Sequence, residues 1–304
     1  QNWSQNYTVA ANNVTVVTIP SAKSYNDCAD CITDKGVHIT SQKDVVVYAH
    51  HYQDNQSDAT LVLPTRTLGK EYYCVGYTQV SPGNSGRNTI GIVAIKDSTL
   101  VKITPKVAMQ KTGGGTYASG VPYYKLLNEG DFYQGIANGG QTGDDITGTL
   151  IEVIDTGITG NCRRIAVFSG SSYLSILNGC PSFGINSGDN LLEQMLPVNS
   201  WGKEFVMVPS AGRSEDNFRI MASEASTSIS VFRASGAPAS YLIGAGEFIC
   251  IYDESDVRFV IADKPACVIQ YQKTAKCDGF TNRIGDPSLI ILRPLPPTLS
   301  RITL

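Results

Sequence analysis

At 304 residues, with 42% hydrophobic and 17% charged residues, the chain has enough apolar surface for a sizeable core. Its formal net charge of −3 excludes the basic footprint of a nucleic-acid binder. No apolar run reaches the length of about 18 residues that a membrane-spanning helix needs.

No helical period is sustained over three turns. Short runs rich in Val, Ile, Tyr, Phe and Thr recur instead between clusters of Gly, Asn, Asp, Ser and Pro, which predicts an all-β fold. In chain order, strand–turn–strand units fall at Tyr7–Ile19, Val37–Tyr48, Ile90–Ile103, Thr149–Phe168 (with an insertion), Asn217–Phe232 and Val257–Tyr271. Each reads as a hairpin, giving six. A second element recurs at a longer period. Asp58–Pro64 leads to Gly69–Val75, Asp189–Pro197 leads to Gly202–Val208, and Asp286–Leu292 leads to Pro296–Leu304.

The chain is therefore internally repeated, with units at approximately 1–57, 58–188 and 189–285 and a closing segment 286–304, all within one domain. The first unit begins at a hairpin, whereas the last segment stops at the strand that would precede one. Residues 301–304 would supply the strand missing before Tyr7 if the units close into a ring. The favoured expectation is a six-bladed β-propeller of about 40–50 residues per blade. The same repeats also permit three β-sandwich units packed together. The segments 81–88, 112–116 and 137–141 read as surface loops.

Eight cysteines, Cys28, Cys31, Cys74, Cys162, Cys180, Cys250, Cys267 and Cys277, suit pairing in an oxidising compartment. Cys28 and Cys31 form the only Cys-x-x-Cys. Neither it nor His38, His50 and His51 has zinc-site spacing, so disulfides are expected over metal. Cys162 with Cys180, and Cys267 with Cys277, are near enough in sequence to close short loops. Gln1 reads as a mature N-terminus after signal cleavage, which fits a secreted chain. Glycosylation sequons begin at Asn2, Asn6, Asn13 and Asn55.

The strings Gly36–His50, Leu196–Val206, Ile261–Val268, Cys277–Gly279 and Gly285–Pro287 resemble, in that order, the IgGFc-binding protein N-terminal domain family. The resemblance implies an extracellular module of the kind found in mucus-associated glycoproteins and large surface proteins. It implies no ligand that can be placed residue by residue.

Candidate chemistry is sparse. His50 and His51 at a strand end, with Ser85 in Gly83–Gly86, are the parts from which a hydrolase triad would be drawn, but neither string has the protease pattern. Asp144–Asp145 and Asp253–Asp256 are clustered oxygen donors that could hold structural Ca²⁺, without EF-hand or nonapeptide spacing. Trp201 is either a stacking surface or core, and its repeat counterpart Leu68 favours core. No catalytic residue, metal ligand or cofactor is assigned. The expected function is a non-enzymatic binding or adhesion module for extracellular glycoprotein or mucin-like partners. A filament protomer assembling through a terminal strand (Leu299, Arg301, Ile302, Leu304) is the first alternative, and a hydrolase with an unrecognised site the second.

Overall fold

A computed structural model describes residues 3–54, 56–81, 86–139, 143–155, 163–177, 188–213, 215–274 and 285–296. Among the described residues, twenty strands with one four-residue α-helical turn (Ser21–Ser24) and two three-residue 3-10 turns (Thr65–Thr67 and Val198–Ser200) make the fold all-β, and every ladder is antiparallel. The strands are β1 (Asp30–Thr33), β2 (Tyr48–Gln53), β3 (Gln56–Leu61), β4 (Glu71–Tyr73), β5 (Asn88–Ala94), β6 (Thr99–Thr104), β7 (Met109–Gln110), β8 (Thr116–Tyr117), β9 (Tyr123–Leu127) and β10 (Phe132–Ile136). They continue as β11 (Leu150–Ile154), β12 (Ile165–Leu174), β13 (Asp189–Gln194), β14 (Gly202–Met207), β15 (Asp216–Ala222), β16 (Thr227–Phe232), β17 (Ala239–Ile243), β18 (Phe248–Glu254), β19 (Arg258–Gln272) and β20 (Ser288–Ile291).

Of the six expected hairpins, Ile90–Ile103 and Asn217–Phe232 are arches, Thr149–Phe168 supplies β11 and β12 to different sheets, Val257–Tyr271 falls on the single strand β19, and Tyr7–Ile19 and residues 37–47 carry no strand. β5 pairs with β10 and β12, whereas β6, the strand after its turn, pairs with β9 and β11 in another sheet. Chain crossing from layer to layer builds a sandwich rather than a blade, because consecutive strands of a propeller blade pair with each other. This corrects the six-bladed expectation, and the packed-sandwich alternative is the compatible one. In the first sandwich one layer has the order β10-β5-β12-β13, edged by β1, and the other β9-β6-β11-β4.

The second sandwich repeats that order. β19 is long enough to serve both layers. Its first half, Arg258–Ala262, lies between β14 and β16, and its second half, Ala266–Tyr271, lies next to β15. One layer is thus β18-β15-β19-β20 and the other β17-β16-β19-β14, joined as one curled seven-stranded sheet through β19. Strand for strand, β14 corresponds to β4, β15 to β5, β16 to β6, β17 to β9, β18 to β10 and β20 to β13. β19 corresponds to β11 and β12 together.

The arch turns are built alike. Ser98 and Ser226 adopt left-handed φ values of 54° each. Beside them the Thr99 hydroxyl donates to the Lys96 carbonyl and the Thr227 hydroxyl to the Glu224 carbonyl, both at 2.7 Å.

Period-2 alternation explains the cores. Phe218, Ile220, Ile229, Val231, Val260 and Val268 fill the interior of the second sandwich. Asn217, Arg219 and Met221 alternate with them yet are also buried, so β15 is covered on both faces. The covering comes from the first sandwich. Met221, Cys267, Ile269 and Tyr271 join the same apolar cluster as Tyr72, Ile90, Ile92, Val101 and Ile151. The close approach uses glycine where the backbone demands it: Gly148 has a φ of 93°, and a side chain there would strike the Gly246 carbonyl.

Residues 3–47 differ from the rest. Apart from the helical turn and β1 they carry no strand, and Val14, Val16 and Val46 are 83%, 86% and 72% exposed.

Candidate functional site: the junctions between repeats

Two junctions gather the polar groups of this chain. At the first, Arg219 projects from β15 into the first sandwich. Its guanidinium forms an ion pair with Asp145 at 2.7 Å and donates to the Gly76 carbonyl at 3.1 Å and the Thr147 hydroxyl at 2.9 Å. The rings of Tyr77, Phe248 and Tyr271 lie 4.4, 4.4 and 5.4 Å from it. Burial by itself would lower its pKa, but Tyr271 and Asp145 outweigh that and push it up, so it stays charged. The Tyr271 hydroxyl also donates to the Gly76 carbonyl at 2.8 Å, and the Asn217 amide donates to the Tyr77 hydroxyl at 3.2 Å. This arrangement clamps two sandwiches together; its cation is spent on a carboxylate, a carbonyl and a hydroxyl.

At the second junction β3, β13 and β20 lie side by side, with β13 packing on β3 at one side and β20 at the other. β3 and β13 are joined by side chains. The Leu192 N–H donates to Asp58 at 2.8 Å, the Ser57 N–H to Asp189 at 2.7 Å, and the Gln194 N–H to the Thr60 hydroxyl at 2.8 Å. Burial, partly offset by bonds from Leu192 and Ala59, raises the Asp58 carboxyl to about 6. Burial also raises Glu193 to about 7, with Thr60 opposing it and the nearby Asp58 adding to it. Asp189 is raised as well, by burial and the charge of Asp286. An open cleft of about 270 Å³ follows the strands, lined by Leu63, Pro64, Leu196, Pro197 and Arg293.

A third cluster anchors β1. Asp30 forms an ion pair with Lys125 at 2.6 Å and accepts from the Tyr133 hydroxyl at 2.9 Å and the Thr112 N–H at 3.0 Å. Burial pushes its carboxyl up, but Lys125 and these donors outweigh it and hold the group below its usual range. Lys125 also lies over the rings of Tyr117, Tyr123 and Tyr133.

The residues singled out by sequence scatter over this frame. Cys28 and Cys31 are bonded to each other. Cys74, Cys250 and Cys267 are free thiols, which corrects the expectation of eight paired cysteines. Cys74 and Cys267 sit within strand-rich cores and pack as small apolar side chains, and burial raises both thiols. Cys162, Cys180 and Cys277 lie outside the described residues, as do Asn2, Asn55, Ser85, Leu299, Arg301, Ile302 and Leu304. Asn6 and Asn13 are exposed.

His50 is exposed on β2, while the His51 Nδ1 lies 3.2 Å from the Asn190 amide, and burial followed by His50 lowers its pKa. Asp145 is occupied by Arg219, and Glu254 by Arg258 at 2.7 Å, so these acids answer arginines. Asp256 is a second, more exposed partner of Arg258 at 3.4 Å. No cluster able to hold a metal ion occurs among the described residues. Trp201 is half-buried against Tyr73 with its Nε1 donating to the Leu196 carbonyl, and Leu68 is buried, so both are packing residues.

Arg219, Asp30 and Lys125 were not singled out by sequence. Arg219 sits in a strand whose alternation assigns it to an outer face.

The fold and junctions define a protein of tandem, interlocked antiparallel sandwiches. Residues 58–304 match the family described as IgGFc binding protein, and the chain belongs to that family. No curated protein matches it. Among solved structures, the major pilin from Streptococcus pyogenes aligns at 11% identity and a TM-score of 0.21, covering 74% of this chain and 92% of the pilin. A mutant of that pilin aligns at 10% identity and a TM-score of 0.19, covering 67% of this chain and 82% of that one. Similarity at that level carries no argument about fold or function.

Proposed function

We propose that this chain is a secreted, non-enzymatic binding module that recognises an extracellular glycoprotein partner. Membership of the IgGFc-binding family over residues 58–304 carries the reading. The charged groups at the junctions support it. Arg219, Lys125 and Arg258 each face a carboxylate inside the fold, an arrangement that positions strands rather than substrate.

The proposed contact is the outer side of the edge strand β9. There Tyr124 and Leu126 are 55% and 58% exposed, and Val121, just ahead of them, is 57% exposed. An exposed tyrosine between aliphatic neighbours is the residue type that anchors protein interfaces. Glycans at Asn6 and Asn13 would sit on exposed backbone and suit the extracellular setting.

The test is retention of mucus or serum glycoproteins on immobilised chain under salt washing. The reading expects a partner that survives the wash, and at least tenfold weaker retention for Tyr124→Ala with Leu126→Asp. Recovery of no partner would overturn the reading, and retention unchanged by the double substitution would overturn the β9 assignment.

A further inference from the structure

We propose that the Cys28–Cys31 disulfide is a redox latch: closed, it holds β1 and the exposed segment around it on the edge of β10, and opened by a dithiol it lets them go. The first observation is where this segment is fastened. Residues 4–18 and 37–46 are exposed throughout. Between them, Asp30–Thr33 pair with residues 132–135 of β10. The start of that short ladder adds further acceptors. The Gln134 amide donates to the Cys28 carbonyl at 2.7 Å, and the Ile136 N–H donates to the Ala29 carbonyl at 3.1 Å. The Thr112 hydroxyl donates to the Asp30 carbonyl. The Asp30 carboxylate takes Lys125, the Tyr133 hydroxyl and, at 3.2 Å, the Tyr117 hydroxyl.

The second observation is what the disulfide encloses. Cys28 and Cys31 are three residues apart, so their bond closes a loop that contains Ala29 and Asp30. Every acceptor just named belongs to Cys28, Ala29 or Asp30. Closing so short a loop removes little entropy from the unfolded chain, so the bond adds little to the stability of the whole. Its effect is local: it fixes the direction in which three carbonyls and one carboxylate point. Without it, a four-residue strand at a sheet edge has to order those groups against β10 by its ladder alone.

The third observation joins access to tolerance. Cys28 and Cys31 are partly exposed and open to a thiolate, whereas Cys74 and Cys267 are buried in the cores. A sandwich of this build also stands with that edge open. β18, the strand equivalent to β10, carries no covering strand among the described residues. Opening is a thiol–disulfide exchange. One thiolate of the dithiol attacks a sulfur of the bond, and the electron pair of the broken S–S bond leaves on the other cysteine, which takes up a proton. The second thiol of the reductant, losing its own proton, displaces the first cysteine, which is protonated in turn. Two electrons and two protons thus pass from the dithiol to the protein, and the reductant leaves as a disulfide. β1 loses its fixed loop, and β10 is left with the open edge that β18 already has.

The experiment is hydrogen exchange with mass spectrometry on the full 304-residue chain, oxidised or treated with dithiothreitol, with alkylation to record which cysteines are reduced. With Cys28 and Cys31 reduced, peptides covering β10 should exchange roughly tenfold faster, while those covering β18 and the thermal unfolding of the sandwiches stay as they were. Reoxidation should restore the protection. Cys28→Ser with Cys31→Ser should exchange fast at β10 without reductant and should not respond to dithiothreitol, which assigns the effect to this bond. Unchanged β10 protection in native chain alkylated at both cysteines overturns the proposal, as does a dithiothreitol response at β10 that the substituted chain retains. The native chain decides even where the substituted one does not fold. Glycoprotein retention on β9 is read separately, so either idea can fail alone.

Discussion

The two sandwiches share their strand order but not the treatment of one edge. In the first, β10 is covered by β1, drawn from the N-terminal segment and fixed by Asp30. In the second, the equivalent strand β18 carries no further strand among the described residues. A repeat reproduces its exposed edge along with its core, and an edge must be covered, charged or used. Here one copy is covered by added sequence. The strand switch differs as well. β11 and β12 are separate strands around an insertion, whereas β19 runs through both layers without a break.

The largest expected effect comes from disconnecting the two sandwiches. Arg219→Ala leaves the Asp145 carboxylate facing a cavity among Tyr77, Phe248 and Tyr271, and should cost about 3–5 kcal/mol. Chemical denaturation should then resolve two transitions where the native chain shows one. A single transition at an unchanged midpoint would mean that the sandwiches are held elsewhere.

Uncovering the first edge should cost less. Asp30→Ala removes the anchor of β1 and strands Lys125 among three tyrosine rings, for about 1–3 kcal/mol. Hydrogen exchange should show β10 amides losing protection while those of β18 stay as they were, making the two edges alike.

The smallest effect is a pH dependence of opposite sign in two places. The carboxyls of Asp58 and Glu193 are raised to about 6 and about 7. The folded chain therefore holds protons there that the unfolded chain releases. That contribution to stability is full at low pH and is lost as pH rises from about 4 through 7. Asp30 is lowered, so its contribution is present above the unfolded value and disappears as pH falls through the folded one. Asp58→Asn with Glu193→Gln should flatten the melting temperature between pH 4 and 7 and leave the acid limb. A slope that survives both substitutions would assign it to other groups.

Much of this was legible in the sequence. The β-branched runs marked the strands, and Asp58, Asp189 and Asp286 marked three equivalent elements that do lie in series. Hairpin and arch could not be told apart. Lys96–Thr99 and Glu224–Thr227 are polar turns in either case, and alternation on each side says which face is buried, not which strand is the neighbour. Arg219 escaped notice for a related reason. Asn217 and Arg219 alternate with Phe218 and Ile220 as solvent-facing residues would. Only the arrival of the other sandwich turns that face inward. Asp30, between two cysteines, looks like a turn residue until Lys125 and Tyr133 are brought to it from about 100 residues away.

A glycine–proline contact recurs once in each sandwich and sets how it closes. Gly69 and Gly202 lie so close to the rings of Pro197 and Pro294 that no methyl group would fit between them. Main chain and proline ring, neither of which can swing aside, thus fix how closely the turn after β13 or β20 approaches the start of β4 or β14 in the same sandwich. An alanine at either glycine would work as a shim, prising β4 or β14 away from the proline turn that closes its own sandwich.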